Sequence, residues 1–162
     1  MGPLKLKGED VVQEFAKLGR QLAAGAQTLK EVGDYEYGAT AKEEVYREDK
    51  LRLYRFKGDK APTSKVPILI VYALVNRPYM TDLQHDRSLV RNLLDRGEDV
   101  YLIDWGYPDP SDRCISLDDY VNGYIRRCVD VVRRRHGLDA INILGICQGG
   151  AFSLCFSSIY PE

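Results

Sequence analysis

Gly145-Ile146-Cys147-Gln148-Gly149-Gly150 is the stretch that decides how this sequence is read. An apolar run, Ala140 to Leu144, leads into it, and a second one, Ala151-Phe152-Ser153-Leu154-Cys155-Phe156, leaves it. Strand, sharp turn and helix in that order make a nucleophile elbow, with cysteine where serine is more usual. Such a turn holds its central residue in a strained backbone conformation that only small flanking residues tolerate, and Gly145 and Gly149 supply the room. The start of a helix offers unpaired N–H groups and the positive end of its dipole, and both favour a thiolate over a thiol. Cys147 is therefore the expected nucleophile, activated by position. The backbone N–H of Gln148 points to where an oxyanion would develop. A second donor is expected from the turn after the strand that ends near Leu74, with Val75 as the candidate. The alternative is a glycine-rich βα turn that packs or binds phosphate, with Cys147 a small buried hydrophobe.

Upstream, the pattern supplies the sheet that an elbow needs. Val66 to Leu74 is almost uninterrupted in apolar character, as expected of a central parallel strand covered on both faces. Ser88 to Arg96 reads as a helix stopped by Gly97, and Val100 to Ile103 as a second buried strand. From the cap residue Ser116, Leu117, Val121, Tyr124, Cys128 and Val132 mark one face of a helix that stops near His136-Gly137. Earlier, Val45 to Phe56 reads as a hairpin around Glu48-Asp49-Lys50. Val11, Phe15, Leu18, Leu22, Ala26 and Leu29 mark an amphipathic helix after Asp10, a residue suited to cap it. Strands alternating with helices at this spacing imply right-handed crossovers and a doubly wound, mostly parallel sheet. With the elbow, the expected class is α/β, an α/β-hydrolase fold. Residues 1–38 are expected to be an amphipathic helix and linker, and residues 39–162 the N-terminal part of the catalytic domain.

Composition excludes several function classes. At 162 residues and 44% hydrophobic the chain can bury one core, and 23 basic against 24 acidic residues give a net charge of −1, which recruits neither nucleic acid nor anionic lipid. No apolar run approaches the roughly 20 residues that span a bilayer, and Met1 to Lys7 leads into no signal-like apolar region, so a cytoplasmic protein is expected. The four cysteines show no CxxC spacing and only two histidines accompany them, so no metal, disulfide framework or resident cofactor is expected. Cys114, Cys128 and Cys155 lack elbow context and are assigned to packing.

The stretch from Val45 to Glu162 resembles the catalytic subunit of class III poly(3-hydroxyalkanoate) synthases, the two-subunit polyester synthases. The resemblance is carried by Val66-Pro67-Ile68-Leu69-Ile70-Val71-Tyr72-Ala73-Leu74-Val75-Asn76-Arg77-Pro78-Tyr79, by Val100-Tyr101-Leu102-Ile103-Asp104-Trp105-Gly106, and by the Gly-x-Cys-x-Gly-Gly box. It implies a transferase that joins 3-hydroxyacyl groups from coenzyme A thioesters into polyester, with Cys147 carrying the acyl chain and coenzyme A entering only as part of the substrate. It also implies a second, non-catalytic (PhaE-like) subunit and residence on cytoplasmic polymer granules.

A thiol suits that chemistry, because moving an acyl group between thioesters keeps the enzyme-bound chain activated for the next attack. The attacking hydroxyl in elongation needs a base, usually histidine. In this fold the acid and histidine follow the nucleophile, yet Gln148 to Glu162 contains neither Asp nor His. The sequence thus reads as the front portion of such an enzyme, truncated after the elbow helix. His85 and His136 are read as surface residues, His136 complementing a helix end. Asp104-Trp105-Gly106 lies where α/β folds place ligand contacts. Arg133-Arg134-Arg135 either meets coenzyme A phosphates or is solvated at a helix end, and the N-terminal helix either docks a partner or packs on its own body. Two other functions remain open: a cysteine hydrolase of the dienelactone type, and a non-catalytic interaction fragment.

Overall fold

The computed structural model describes residues 8–32 and 37–161. The chain divides into two compact units, residues 1–35 and 36–162. The first contains one helix, α1 (Gly8–Val32), along which Val12, Phe15, Leu18, Leu22 and Leu29 are exposed. It begins before Asp10, so Asp10 lies within the helix and not at its cap.

The second unit opens with a hairpin, β1 (Lys42–Glu48) and β2 (Leu51–Phe56), which turns at Asp49 with φ of 50°. Aspartate tolerates that left-handed conformation better than most residues. Next comes β3 (Ile68–Val71), then a short hairpin of β4 (Asp82–Gln84) and β5 (Arg87–Ser88), and then α2 (Leu89–Asp95). Ser88 caps α2 by accepting the Arg91 N–H at 2.9 Å, and the helix gives way to Gly97, whose φ is 83°. After β6 (Val100–Asp104) a helix runs from 117 to 136. Its start is capped reciprocally by Ser116 and Asp119, its section Asp119–Ile125 is wound as a π-helix, and the rest is α3 (Arg126–His136). Gly137, at φ of 63°, ends it, and the Leu138 N–H then bonds the Arg133 carbonyl. Last come β7 (Asn142–Gly145) and α4 (Gln148–Ile159).

The five-stranded sheet has the order β1-β2-β6-β3-β7. β6, β3 and β7 are mutually parallel, while β2 is antiparallel to both its neighbours, so it alone runs against the rest. Helices cover both faces. Leu69, Val71, Tyr101 and Ile103 point to the side of α3 and α4, where they meet Ile125, Cys128, Val132, Phe152 and Phe156. Ile70, Val100 and Leu102 point the other way, to Val90, Leu93 and Leu94 of α2. Period-two alternation within runs that look uniformly apolar is how a doubly wound sheet uses both faces.

Two further expectations change. The strand read as Val66 to Leu74 is only Ile68–Val71, because Tyr72 and Ala73 are buried as a loop rather than as sheet. Of the three cysteines assigned to packing, only Cys128 is buried, whereas Cys114 and Cys155 are exposed. Cys114 lies in a surface 3-10 turn, and Cys155 shares with Leu154 and Ile159 the face of α4 turned away from the core.

Candidate active site

Strand register builds the site. Val71 stands level with Ile103 on one side and with Gly145 on the other, so β3, β6 and β7 finish together at one end of the sheet. Pairing continues one residue further, where the Ile146 N–H donates to the Val71 carbonyl at 3.0 Å. The chain then reverses. Cys147 sits at φ 56° and ψ −126°, and among the described residues only it and Asp49 are non-glycine residues with positive φ. The bend closes with the Gly149 N–H on the Ile146 carbonyl at 3.0 Å and the Gly150 N–H on the Cys147 carbonyl at 2.9 Å. Cys147 is exposed, which does not fit the reading of a small buried hydrophobe.

The glycines around it are fixed by contact. A Cβ on Gly145 would stand 2.6 Å from the Gly150 Cα and 2.7 Å from both the Gly149 carbonyl oxygen and the Ser153 hydroxyl. A Cβ on Gly149 would overlap the Val71 carbonyl oxygen and stand 2.9 Å from that of Tyr72. The start of α4 thus lies directly against the end of β3, closer than any side chain permits. As the first residue of α4, Gln148 has a backbone N–H without an intrahelical acceptor.

The loop after β3 forms the opposite wall. Its Leu74 N–H donates to the Gln148 side-chain Oε1 at 3.1 Å, and Val75, the next residue, is exposed in the turn. Two further hydrogen bonds brace this loop from the segment after β6. The Trp105 indole N–H donates to the Tyr72 carbonyl at 2.9 Å, and Arg77 Nη1 donates to the Gly106 carbonyl at 2.8 Å while its guanidinium stacks on Tyr107. Asp104 accepts the Gly106 N–H at 3.0 Å, so Asp104-Trp105-Gly106 serves here as a strut.

The remaining candidates lie elsewhere. His85 occupies the tip of the β4–β5 hairpin and meets Arg91 at 2.9 Å. His136 is not the surface residue expected from sequence, since its side chain is 20% exposed, packs edge-on against Tyr101 and meets the Tyr101 hydroxyl at 2.9 Å. It stands beside Asp99, just before β6 begins, and so at the opposite end of the parallel strands from Cys147. Asp99 also receives both arms of Arg55, at 2.9 and 2.7 Å. Arg135 is paired with Glu43 at 2.7 Å. Burial pushes the Cys128 thiol up to about 12, with Glu48 adding to the effect and Arg127 opposing it. Sequence reasoning missed Asp82, a buried carboxylate that accepts the Thr40 N–H and hydroxyl and the Ser88 hydroxyl at 2.9, 2.7 and 2.6 Å. Among the described residues, no group of three or more His, Cys, Asp or Glu could hold a metal ion, and no helix is long and apolar enough to cross a membrane.

Comparison with known proteins fits this geometry. The profile of the family described as alpha/beta hydrolase fold matches residues 66–162, and that described as the N-terminus of poly-beta-hydroxybutyrate polymerase (PhaC) matches residues 4–93. A poly(3-hydroxyalkanoate) polymerase subunit PhaC of Allochromatium vinosum is 53% identical over 164 residues, spanning 100% of this chain and 46% of that protein. Its namesake in Synechocystis sp. is 49% identical over 95% of this chain and 41% of that protein. The one in Cupriavidus necator is 35% identical over 65% of this chain and 18% of that protein. The chain therefore spans less than half the length of the curated relatives it matches. Profiles and relatives agree with one another and with the sheet described above: this chain belongs to the poly-beta-hydroxybutyrate polymerase (PhaC) family, corresponds to its N-terminal part, and is built on the α/β-hydrolase fold.

Proposed function

We propose that this chain supplies the acyl-carrying half of a poly(3-hydroxyalkanoate) synthase of the two-subunit, class III kind, acting on 3-hydroxyacyl-coenzyme A through Cys147. The observation that carries the reading is an exposed cysteine at φ 56° on the turn into α4, where backbone amides lack acceptors. In the step proposed, the Cys147 thiolate attacks the thioester carbonyl, and the oxyanion that forms is met by the Gln148 and Val75 N–H groups. The new bond from Sγ to carbon persists while the bond from carbon to the coenzyme A sulfur breaks, and the released thiolate takes up a proton. A 3-hydroxy oxygen then attacks the Cys147 thioester carbonyl, its proton passing to a base; the new C–O ester bond persists, the bond from carbon to Sγ breaks, and Cys147 is left as the thiolate. Neither His85, on its hairpin tip, nor His136, at the far end of the sheet, is placed for that role. A second (PhaE-like) subunit, a granule surface and a cytoplasmic setting belong to the same proposal.

The test uses the full-length protein that carries this chain, incubated with labelled 3-hydroxybutyryl-coenzyme A and digested for mass spectrometry. The expected result is a hydroxybutyryl adduct on the Cys147 peptide, absent in Cys147→Ala, together with polymer. Release of free hydroxy acid without polymer would point to a hydrolase of the dienelactone type. No adduct and no turnover would leave a non-catalytic fold.

A further inference from the structure

In the scheme above Gln148 contributes only its backbone, yet its side chain makes the hydrogen bond that joins the two walls of the site. Oε1 accepts the Leu74 N–H at 3.1 Å, linking the first residue of α4 to the loop after β3. Of the hydrogen bonds that brace this loop, those made with Trp105 and Gly106 tie it to the segment after β6. The one from Gln148 comes from the helix that presents the nucleophile. It also divides the loop's donors. Leu74 spends its N–H on Gln148, while the N–H of the following residue, Val75, bonds to no other described residue.

We propose that the Gln148 side chain is a positioning residue for the oxyanion site: it fixes the loop after β3 against the elbow so that the Val75 N–H, and not that of Leu74, faces the reacting carbonyl. This rests on the reading of Cys147 as the acyl carrier. The residue type fits the task for three reasons. The group to be held is an N–H, so the side chain must accept. Its reach must extend from the first turn of one element to the loop of another. A glutamate would meet both needs, but it would bring negative charge to a place where negative charge develops in the transition state.

The experiment compares two reactions of the same sulfur in the full-length protein. Acylation by 3-hydroxybutyryl-coenzyme A passes through an oxyanion. Alkylation by iodoacetamide displaces iodide at a saturated carbon and needs only the thiolate, so the ratio of the two rates cancels the thiolate fraction. In Gln148→Met, which keeps length and loses the strong acceptor, the ratio is expected to fall by roughly 10- to 100-fold, somewhat less than outright loss of an oxyanion donor. Alkylation and the KM for the thioester should stay near wild type. Gln148→Glu restores an acceptor but adds a charge beside the oxyanion, so its ratio should fall between those of Gln148→Met and wild type. An unchanged ratio in Gln148→Met overturns the proposal. So does a parallel fall of both rates, which would make the side chain a general support of the elbow. A wild-type protein that alkylates at Cys147 but takes no acyl group refutes the acyl-carrier reading itself, a separate and recognisable result.

Discussion

Adjacent glycines at 149 and 150 should respond to the same substitution with opposite signs. In Gly149→Ala the added methyl meets backbone: the Val71 carbonyl, with its carbon 2.6 Å away and its oxygen nearer still, and the Tyr72 carbonyl oxygen at 2.9 Å. Neither can swing aside like the end of a flexible side chain. Relief requires α4 to lift from β3, an overpacking that costs about 1–3 kcal/mol. The same movement strains the hydrogen bond from Ile146 to Val71, worth a further ~1 kcal/mol. A loss of roughly 2–4 kcal/mol follows, a large part of the roughly 5–15 kcal/mol that holds a typical protein folded. In Gly150→Ala the nearest atoms, the Gly145 carbonyl oxygen and carbon, lie 3.6 and 3.8 Å away, in ordinary contact. There the lower chain entropy of alanine should stabilise the helix by about 0.5–1 kcal/mol. Urea denaturation of both full-length variants, fitted for midpoint and slope, measures the difference. If Gly149→Ala lies within 1 kcal/mol of wild type, or if Gly150→Ala is as damaging as Gly149→Ala, the close approach of α4 to β3 is not what fixes these residues.

Three other perturbations probe the same frame. Cys147→Gly removes a side chain from a conformation costing about 1–3 kcal/mol, against about 0.5–1 kcal/mol of extra glycine entropy, so thermal denaturation should show a net gain near 1 kcal/mol while acylation disappears. A destabilised variant would mean that the turn carries no strain. The raised Cys128 thiol disfavours ionisation in the fold. Its contribution is therefore complete below the ordinary value of 9.0 and is lost as pH rises from there towards about 12. Relative to Cys128→Val, the wild type should lose about 1.4 kcal/mol more per pH unit in that window, read from urea midpoints, and identical slopes would count against a buried thiol. Asp82→Ala strands the Thr40 and Ser88 donors and should lower stability by about 3 kcal/mol, with Asp82→Asn intermediate. Equal stability of all three proteins would show that this buried carboxylate holds nothing in place.

The sheet was legible because its strands are short, buried and bounded by turn residues. The elbow was legible because its glycines are demanded by backbone contact, a constraint that leaves a mark in the sequence. Where the reading went astray, an apolar run reported burial and was taken for hydrogen bonding. Tyr72 and Ala73 are as buried as the strand before them, yet they belong to the loop that crosses α4. The same confusion, reversed, affected Cys155, whose helix buries Phe152 and Phe156 but exposes Leu154 and Cys155 between them. Strands β4 and β5, at three and two residues, are too brief for any periodicity to register. The bonds of Asp82 to Thr40 span 42 positions and depend on how segments meet, which no local pattern encodes. The wide turns of Asp119–Ile125 likewise keep an apolar spacing that an ordinary helix would share.

Trp105 is the sole tryptophan of these 162 residues, and its indole hydrogen is committed to the backbone beside the candidate oxyanion loop while its ring meets Tyr120 edge-on at 5.4 Å between centroids. Indole emission responds to hydrogen bonding and to the polarity around the ring. That hydrogen bond sets a fluorophore against the start of this loop, and the colour and lifetime of its light report on the loop's backbone without an added label.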